Sequence, residues 1–341
     1  MASMKEARQH IMARLFYYDH AGELNRELKK AIPSDKLKEL HRKNAWHHLF
    51  IAGRQLALLA ILPLIIYHYQ HPLIQIPAMI LQGFVIFGFT VLLHEAIHKC
   101  IFNRDPRGIS MWLGQLYGTL SGLSCTQFKR WHMDHHNQLG SGSEDPKRAH
   151  LSPKRNARWY KLLYFSPALF PIYMIASGRA QKSYPKKLKR RILIERLFAV
   201  AFIVGIITWF WSISPIFALK AWIIPQFVVF PVAFSLNRLG QHYVINPDDV
   251  ANWSTLIRPN PVWNFLFLFS SYHLEHHYYP GVPFYKLKAL QKELDPFFEK
   301  RGVPSYSYTQ LLKAWLLDNH KPHTRLDSEN ASGTVAVTTR A

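Results

Sequence analysis

The chain has 341 residues, 49% of them apolar, and a formal net charge of +21. Its two cysteines, Cys100 and Cys125, exclude a disulfide framework and follow no metal or redox spacing, so both are read as structural. The apolar residues gather in membrane-length runs, which excludes an ordinary soluble domain, and a membrane surface accounts for the basic excess more simply than nucleic acid does.

Residues 1–46 are polar and charged, and Met1–Arg14 lacks the apolar core of a signal peptide. Leu24, Leu28, Ile32 and Leu37 are spaced as an amphipathic helix interrupted at Pro33, expected to lie on the membrane or on the protein. Trp46-His47-His48 reads as an interfacial anchor opening the first span. Leu49–Tyr67 and Ile74–Leu93 follow as two spans around Gln70-His71-Pro72. The second covers about 30 Å at the helical rise, enough to cross the hydrocarbon core. Leu197–Ser212 and Ile216–Phe234 make a second pair, joined by Ile213-Ser214-Pro215. Arg54 and Lys220 fall within these runs and are read as snorkelling near span ends.

Trp159–Ser177 is also long enough to cross. A crossing there would put the later histidine motifs on opposite sides of the bilayer, so this stretch, with Pro167 and Pro171, is expected to be re-entrant or interfacial. Trp112–Leu123 is expected to be half-buried, and Val262–Ser270 is too short to span. The two hairpin turns carry no Lys or Arg, whereas Lys129–Arg196 is crowded with them, including Lys186-Lys187-Leu188-Lys189-Arg190-Arg191. The positive-inside rule therefore turns this loop to the cytoplasm. Beyond Pro280-Gly281-Val282-Pro283 a helix is expected over Tyr285–Lys292. Residues 1–46 are read as an N-terminal cytosolic segment, 47–320 as the membrane domain and 321–341 as a disordered tail.

Three histidine clusters carry the chemistry: His94-Glu95-Ala96-Ile97-His98, His132-Met133-Asp134-His135-His136 and His273-Leu274-Glu275-His276-His277. Helical residues three and four apart share a face, so each cluster aims its imidazoles at a small volume. A random H-x-x-H-H is expected about 0.06 times in a chain of this composition, and two copies in roughly two such chains per thousand. Eight imidazoles exceed the three or four protein ligands of a zinc site, which points to two metal ions. Asn237-Arg238-Leu239-Gly240-Gln241-His242-Tyr243 emerges from the last span and offers a ninth, His242. His10, His20, His41, His47, His48, His68, His71, His150, His320 and His323 are read as surface or interfacial. A transporter would carry its ligands near the membrane midplane; these lie at span ends and in aqueous loops, which favours an enzyme acting on an acyl chain.

The order H-x-x-x-H after the second span, then H-x-x-H-H, then H-x-x-H-H after the fourth resembles the membrane fatty acid desaturase family. Tyr272-His273-Leu274-Glu275-His276-His277-Tyr278-Tyr279-Pro280-Gly281-Val282-Pro283 is similar to the third box of its bacterial acyl desaturases, and the likeness covers roughly residues 47 to 300. The resemblance implies two iron ions held by His94, His98, His132, His135, His136, His273, His276 and His277, with His242 as an additional ligand. It also implies a reaction that consumes O2 and two electrons and removes hydrogens from two adjacent methylenes to leave a double bond. The substrate would be a fatty acyl group, as free acid, thioester or lipid. A hydroxylase or an oxidative decarboxylase forming a terminal alkene would use the same ligands. Glu95, Asp134 and Glu275 could orient ligands, and Asn237 is a candidate for holding a metal-bound water. No electron-carrying domain is visible, so a separate donor such as a ferredoxin or a cytochrome b5-like protein is expected. The expected fold is an all-α integral membrane protein: four transmembrane helices in two hairpins, with a cytosolic helical cap carrying a His-rich di-metal site, in a bacterial plasma membrane.

Overall fold

A computed structural model describes residues 16–105 and 107–326, so His10, Met1–Arg14 and the tail beyond residue 326 lie outside the described residues. Among the described residues four helices are long and apolar enough to cross a membrane: Ala45–His68, Pro72–Ile97, Lys186–Ile213 and Pro215–His242. They contain the four expected apolar runs and extend past them toward the histidine clusters. The second span is central, with 72% of its apolar window buried, whereas the third is peripheral at 17% and shows Leu197, Phe198, Val204 and Trp209 outward. An outward apolar face of that size belongs in lipid.

Local chemistry sets the helix ends. Asn44 accepts from the His47 backbone N–H at the start of the first span, and the His71 ring accepts from Leu73 N–H at the start of the second. The third and fourth spans meet at Ser214-Pro215, with Pro215 at the first helical position. The fourth span widens into π-turns at Leu219–Ile223 and Pro225–Val229. Pro225 brings no N–H to the helical ladder, which disfavours the regular pattern there.

Lys220 donates to Gln75 near the start of the second span at 2.8 Å, and the Arg54 guanidinium lies over the Phe265 ring at 4.9 Å. Trp159–Ser177 is no span: it breaks into helices Arg158–Leu163 and Leu169–Ala180 around Pro167. Residues 109–121 form a helix against the second span, with Trp112 exposed. The Val262–Ser270 stretch is a short helix, Pro261–Leu266, followed by left-handed residues Leu268 and Phe269.

The N-terminal segment folds as Phe16–His20, Gly22–Ala31 and Ser34–His41, with Pro33 at the predicted break. Leu24, Leu28 and Ile32 are buried in the protein core, so this segment rests on the protein. The helix expected over Tyr285–Lys292 runs longer, over Leu287–Arg301, after a 3-10 turn at Phe284–Lys286. Residues 321–326, expected to begin the tail, are packed back. Thr324 bridges Val244, and the His323 ring bonds the His242 carbonyl and Ser152 Oγ.

Candidate metal centre

The first cluster ends the second span, with His94 in its last turn and His98 as the C-cap. The second lies on helix Cys125–Gln138, begun by Ser124, whose side chain accepts from Gln127 N–H. Glu195 of the third span fixes that start: its carboxylate accepts from Ser124 Oγ, Thr126 N–H and Thr126 Oγ1 at 2.6–2.8 Å. A negative charge at a helix N-terminus is favourable, so the third span holds the second cluster in place. The third cluster forms the short helix His273–Tyr278, and His242 closes the fourth span.

These nine imidazoles form two groups: His94, His98, His132, His136 and His276 in one, and His135, His242, His273 and His277 in the other, with the nitrogens of each within 4.8 Å of one another. The division follows helix geometry. In each H-x-x-H-H, the first and last histidines are four apart and share one group, while the middle one, about 60° away around the axis at 100° per residue, enters the other. The two H-x-x-H-H boxes therefore each link both volumes, while His94 and His98 serve one. His136 and His277, from different groups, still have ring centroids only 4.4 Å apart.

Inward-facing Nε2 atoms crowd together. His132 and His98 approach to 2.8 Å and His136 and His132 to 2.9 Å; His242 Nε2 lies 3.0 Å from both His135 and His273 and 3.3 Å from His277. One imidazole nitrogen cannot form hydrogen bonds with three others at once, since each neutral nitrogen either donates or accepts. Nitrogens bound about 2.0–2.1 Å from a shared ion would stand at such separations. The residues therefore fit metal binding.

Outer partners set the tautomers. Nδ1–H of His135 donates to Asp145 at 2.9 Å, that of His242 to the Trp253 carbonyl at 3.0 Å, and that of His94 to Glu95 at 3.2 Å. These bonds leave the Nε2 lone pairs facing inward, as ligation needs. Burial also pushes the imidazoles of His98, His132, His135, His136, His273, His276 and His277 well below their usual range, keeping them neutral. Lys147 Nζ lies 3.0 Å from His132 Nδ1, and burial, then the Arg238 charge, push that ammonium down to about 7.

Of the acids within the clusters, Glu95 touches a ligand candidate. Asp134 instead pairs with Arg130 at 2.7 Å, and Glu275 with Gln291 at 2.6 Å. Burial raises the Glu275 carboxyl to about 7. Asn237 bonds Ser270 and Gln241. Asp145 and Lys147 carry no motif signal in the sequence; Asp145 lies ten residues from His135 and is brought to it by the π-turn Lys147–Leu151 beside it. His48 and His320, expected at the surface, are buried, His48 against the Tyr117 hydroxyl. His323 is half-buried behind His242.

A cleft enclosing about 870 Å³, its mouth included, opens onto three members of the first group and His273 of the second. Phe87, Val91, Leu123, Phe128 and Phe234 give it an apolar wall, and His94, His132, His273 and His276 a metal-binding one. The profile described as Fatty acid desaturase matches residues 70–309. The chain belongs to the fatty acid desaturase family. Its members with known roles that it resembles include the sphingolipid delta(4)-desaturase/C4-monooxygenase of Homo sapiens, 24% identical over 64% of this chain and 64% of that protein. The Mus musculus counterpart is 25% identical over 72% and 73%. The sphingolipid delta(4)-desaturase of Gallus gallus is 25% identical over 70% and 71%. The chain thus matches just under two thirds of the human protein's length. This family member is a membrane protein by its four long apolar helices.

Proposed function

We propose that this protein is an O2-dependent di-iron oxidase that introduces a double bond into a lipid acyl chain. The observation that carries the reading is the pair of neutral, buried histidine groups at the end of an apolar cleft. In this reading His94, His98, His132, His136 and His276 hold one iron, and His135, His242, His273 and His277 the other. Two irons would supply activation of O2 and the removal of two hydrogens from neighbouring methylenes.

The chain's own residues do the rest. Phe87, Val91, Leu123 and Phe234 align the acyl chain and keep water from the reacting carbons. Asp145, Glu95 and the Trp253 carbonyl hold three rings with their lone pairs inward. The basic loop turns the site to the cytoplasm of a bacterial plasma membrane, where a separate ferredoxin or cytochrome b5-like donor would reach it. Residues 47–320 form the catalytic unit and residues 1–46 an accessory cytosolic segment.

Hydroxylation is the second reading, because the human and mouse relatives' name joins desaturase to C4-monooxygenase. Mass-spectrometric profiling of acyl products from a host expressing the chain separates the outcomes. Internal double bonds that vanish with His135→Ala or His276→Ala, each variant losing iron but still inserting, are the expected result. Hydroxylated chains, or alkenes one carbon shorter, would move the reaction to a sibling class. Unchanged lipids with metal exchange would overturn the oxidase reading.

A further inference from the structure

Arg238 lies in the cleft wall beside His94, His132, His273 and His276. It is only 8% exposed, its Nε is buried with no hydrogen-bond partner among the described residues, and its guanidinium lies 6.0 and 5.9 Å from the ring centroids of Phe234 and Tyr243. A guanidinium stays ionised, and a buried charge without a partner is costly. Among the described residues no carboxylate forms an ion pair with it. Glu95 is the one acid in that wall among the described residues, and its oxygens are taken by His94 Nδ1–H and Phe284 N–H. Asp145, the nearby carboxylate, is engaged by His135 and by the backbone N–H groups of Lys147 and Arg148.

We propose that Arg238 seats the carboxylate of a free fatty acid, which enters the cleft head first. This rests on the lipid-oxidase reading for the nature of the chain. The planar fork of the guanidinium matches a carboxylate's two oxygens, and the Lys147 amine in the same wall offers a further N–H. A thioester or ester head brings no such charge. The tail has a path. A second apolar cleft shares Leu123, Tyr173 and Phe234 with the first and is lined by Met174 and Val200, both exposed on the protein surface. With the head at Arg238 and the metal-binding wall in the same cleft, the oxidised carbons lie within a few bonds of the carboxylate. Their position is counted from the head, whatever the chain length.

Binding tests this without iron or O2. The full-length protein in detergent is titrated with dodecanoic acid and with methyl dodecanoate. The acid should bind at least about 10-fold more tightly, and Arg238→Gln should weaken it about 10- to 100-fold while leaving the ester unchanged. Equal affinity for acid and ester, or undiminished acid binding by Arg238→Gln, overturns the proposal. If Arg238→Gln binds neither, Arg238→Lys decides: a retained acid preference supports the seat, and its loss in a variant that still binds ester overturns it. In cells fed C10, C12 and C14 acids, oxidation at one fixed distance from the carboxyl end is expected; a position fixed from the methyl end overturns head-first binding. Arg238-dependent acid binding without any oxidised product would sink the oxidase reading and leave the carboxylate seat standing.

Discussion

His135 is held at both ring nitrogens, by Asp145 outside and by its histidine group inside. Asp145→Asn keeps an acceptor but removes the charge that strengthens ligation, so metal affinity should fall about 10- to 100-fold with little change in fold. Metal titration of the purified variant checks this, and unaltered affinity would mean that Asp145 only packs. At this scale the sequence was clear about ligand candidates, and of their supports it offered Glu95 but not Asp145 or the Trp253 carbonyl. Imidazoles at fixed spacing are visible in a linear string. The bond from Asp145, or the burial of His48 under Tyr117, depends on segments that meet only when folded.

Among the elements, the contact between the second and fourth spans is a tight constraint. A Cβ at Gly83 would stand 2.4 Å from Val229 Cβ and 2.8 Å from the Pro225 carbonyl oxygen. Glycine is needed there because two backbones approach closely, as small residues allow in membrane bundles. Gly83→Ala should therefore push the spans apart, costing about 1–3 kcal/mol. Since these spans also carry His94 and His242, metal retention should fall with stability, as thermal unfolding in detergent and metal analysis would show. Wild-type melting in this variant would remove Gly83 from that role. Apolar runs announced all four spans, because a crossing helix needs a long unbroken stretch. They did not announce that Lys220 would pair with Gln75, or that Glu195 would cap the helix of the second cluster. Both depend on which helices become neighbours.

For the whole molecule, the histidines govern how stability answers to pH and metal. His132, His135, His136, His273, His276 and His277 are all held well below their ordinary value of 6.5 by burial. Unfolding exposes them, so below about pH 6.5 the unfolded chain binds protons that the folded chain does not. Their contribution is fully present above that pH and is lost as pH falls below it. Metal acts in the opposite direction, adding about 4 kcal/mol at a free concentration 1,000 times its dissociation constant. Melting curves of chelated protein should drop steeply from pH 7 to pH 5.5, and iron should raise the midpoint at pH 7. A flat profile that iron leaves unchanged would argue against a metal-filled core.

Span number, the three clusters and family membership were determined by sequence alone, because membrane length and helical ligand spacing are local properties of a string. The tertiary structure decided how nine imidazoles divide into five and four, and which carbonyl or carboxylate stands behind His94, His135 and His242. It also left Arg238 Nε in the cleft wall without a hydrogen-bond partner among the described residues. Such facts belong to side chains far apart in the chain. Their distances are set by which helix faces pack together, and no local pattern carries that information.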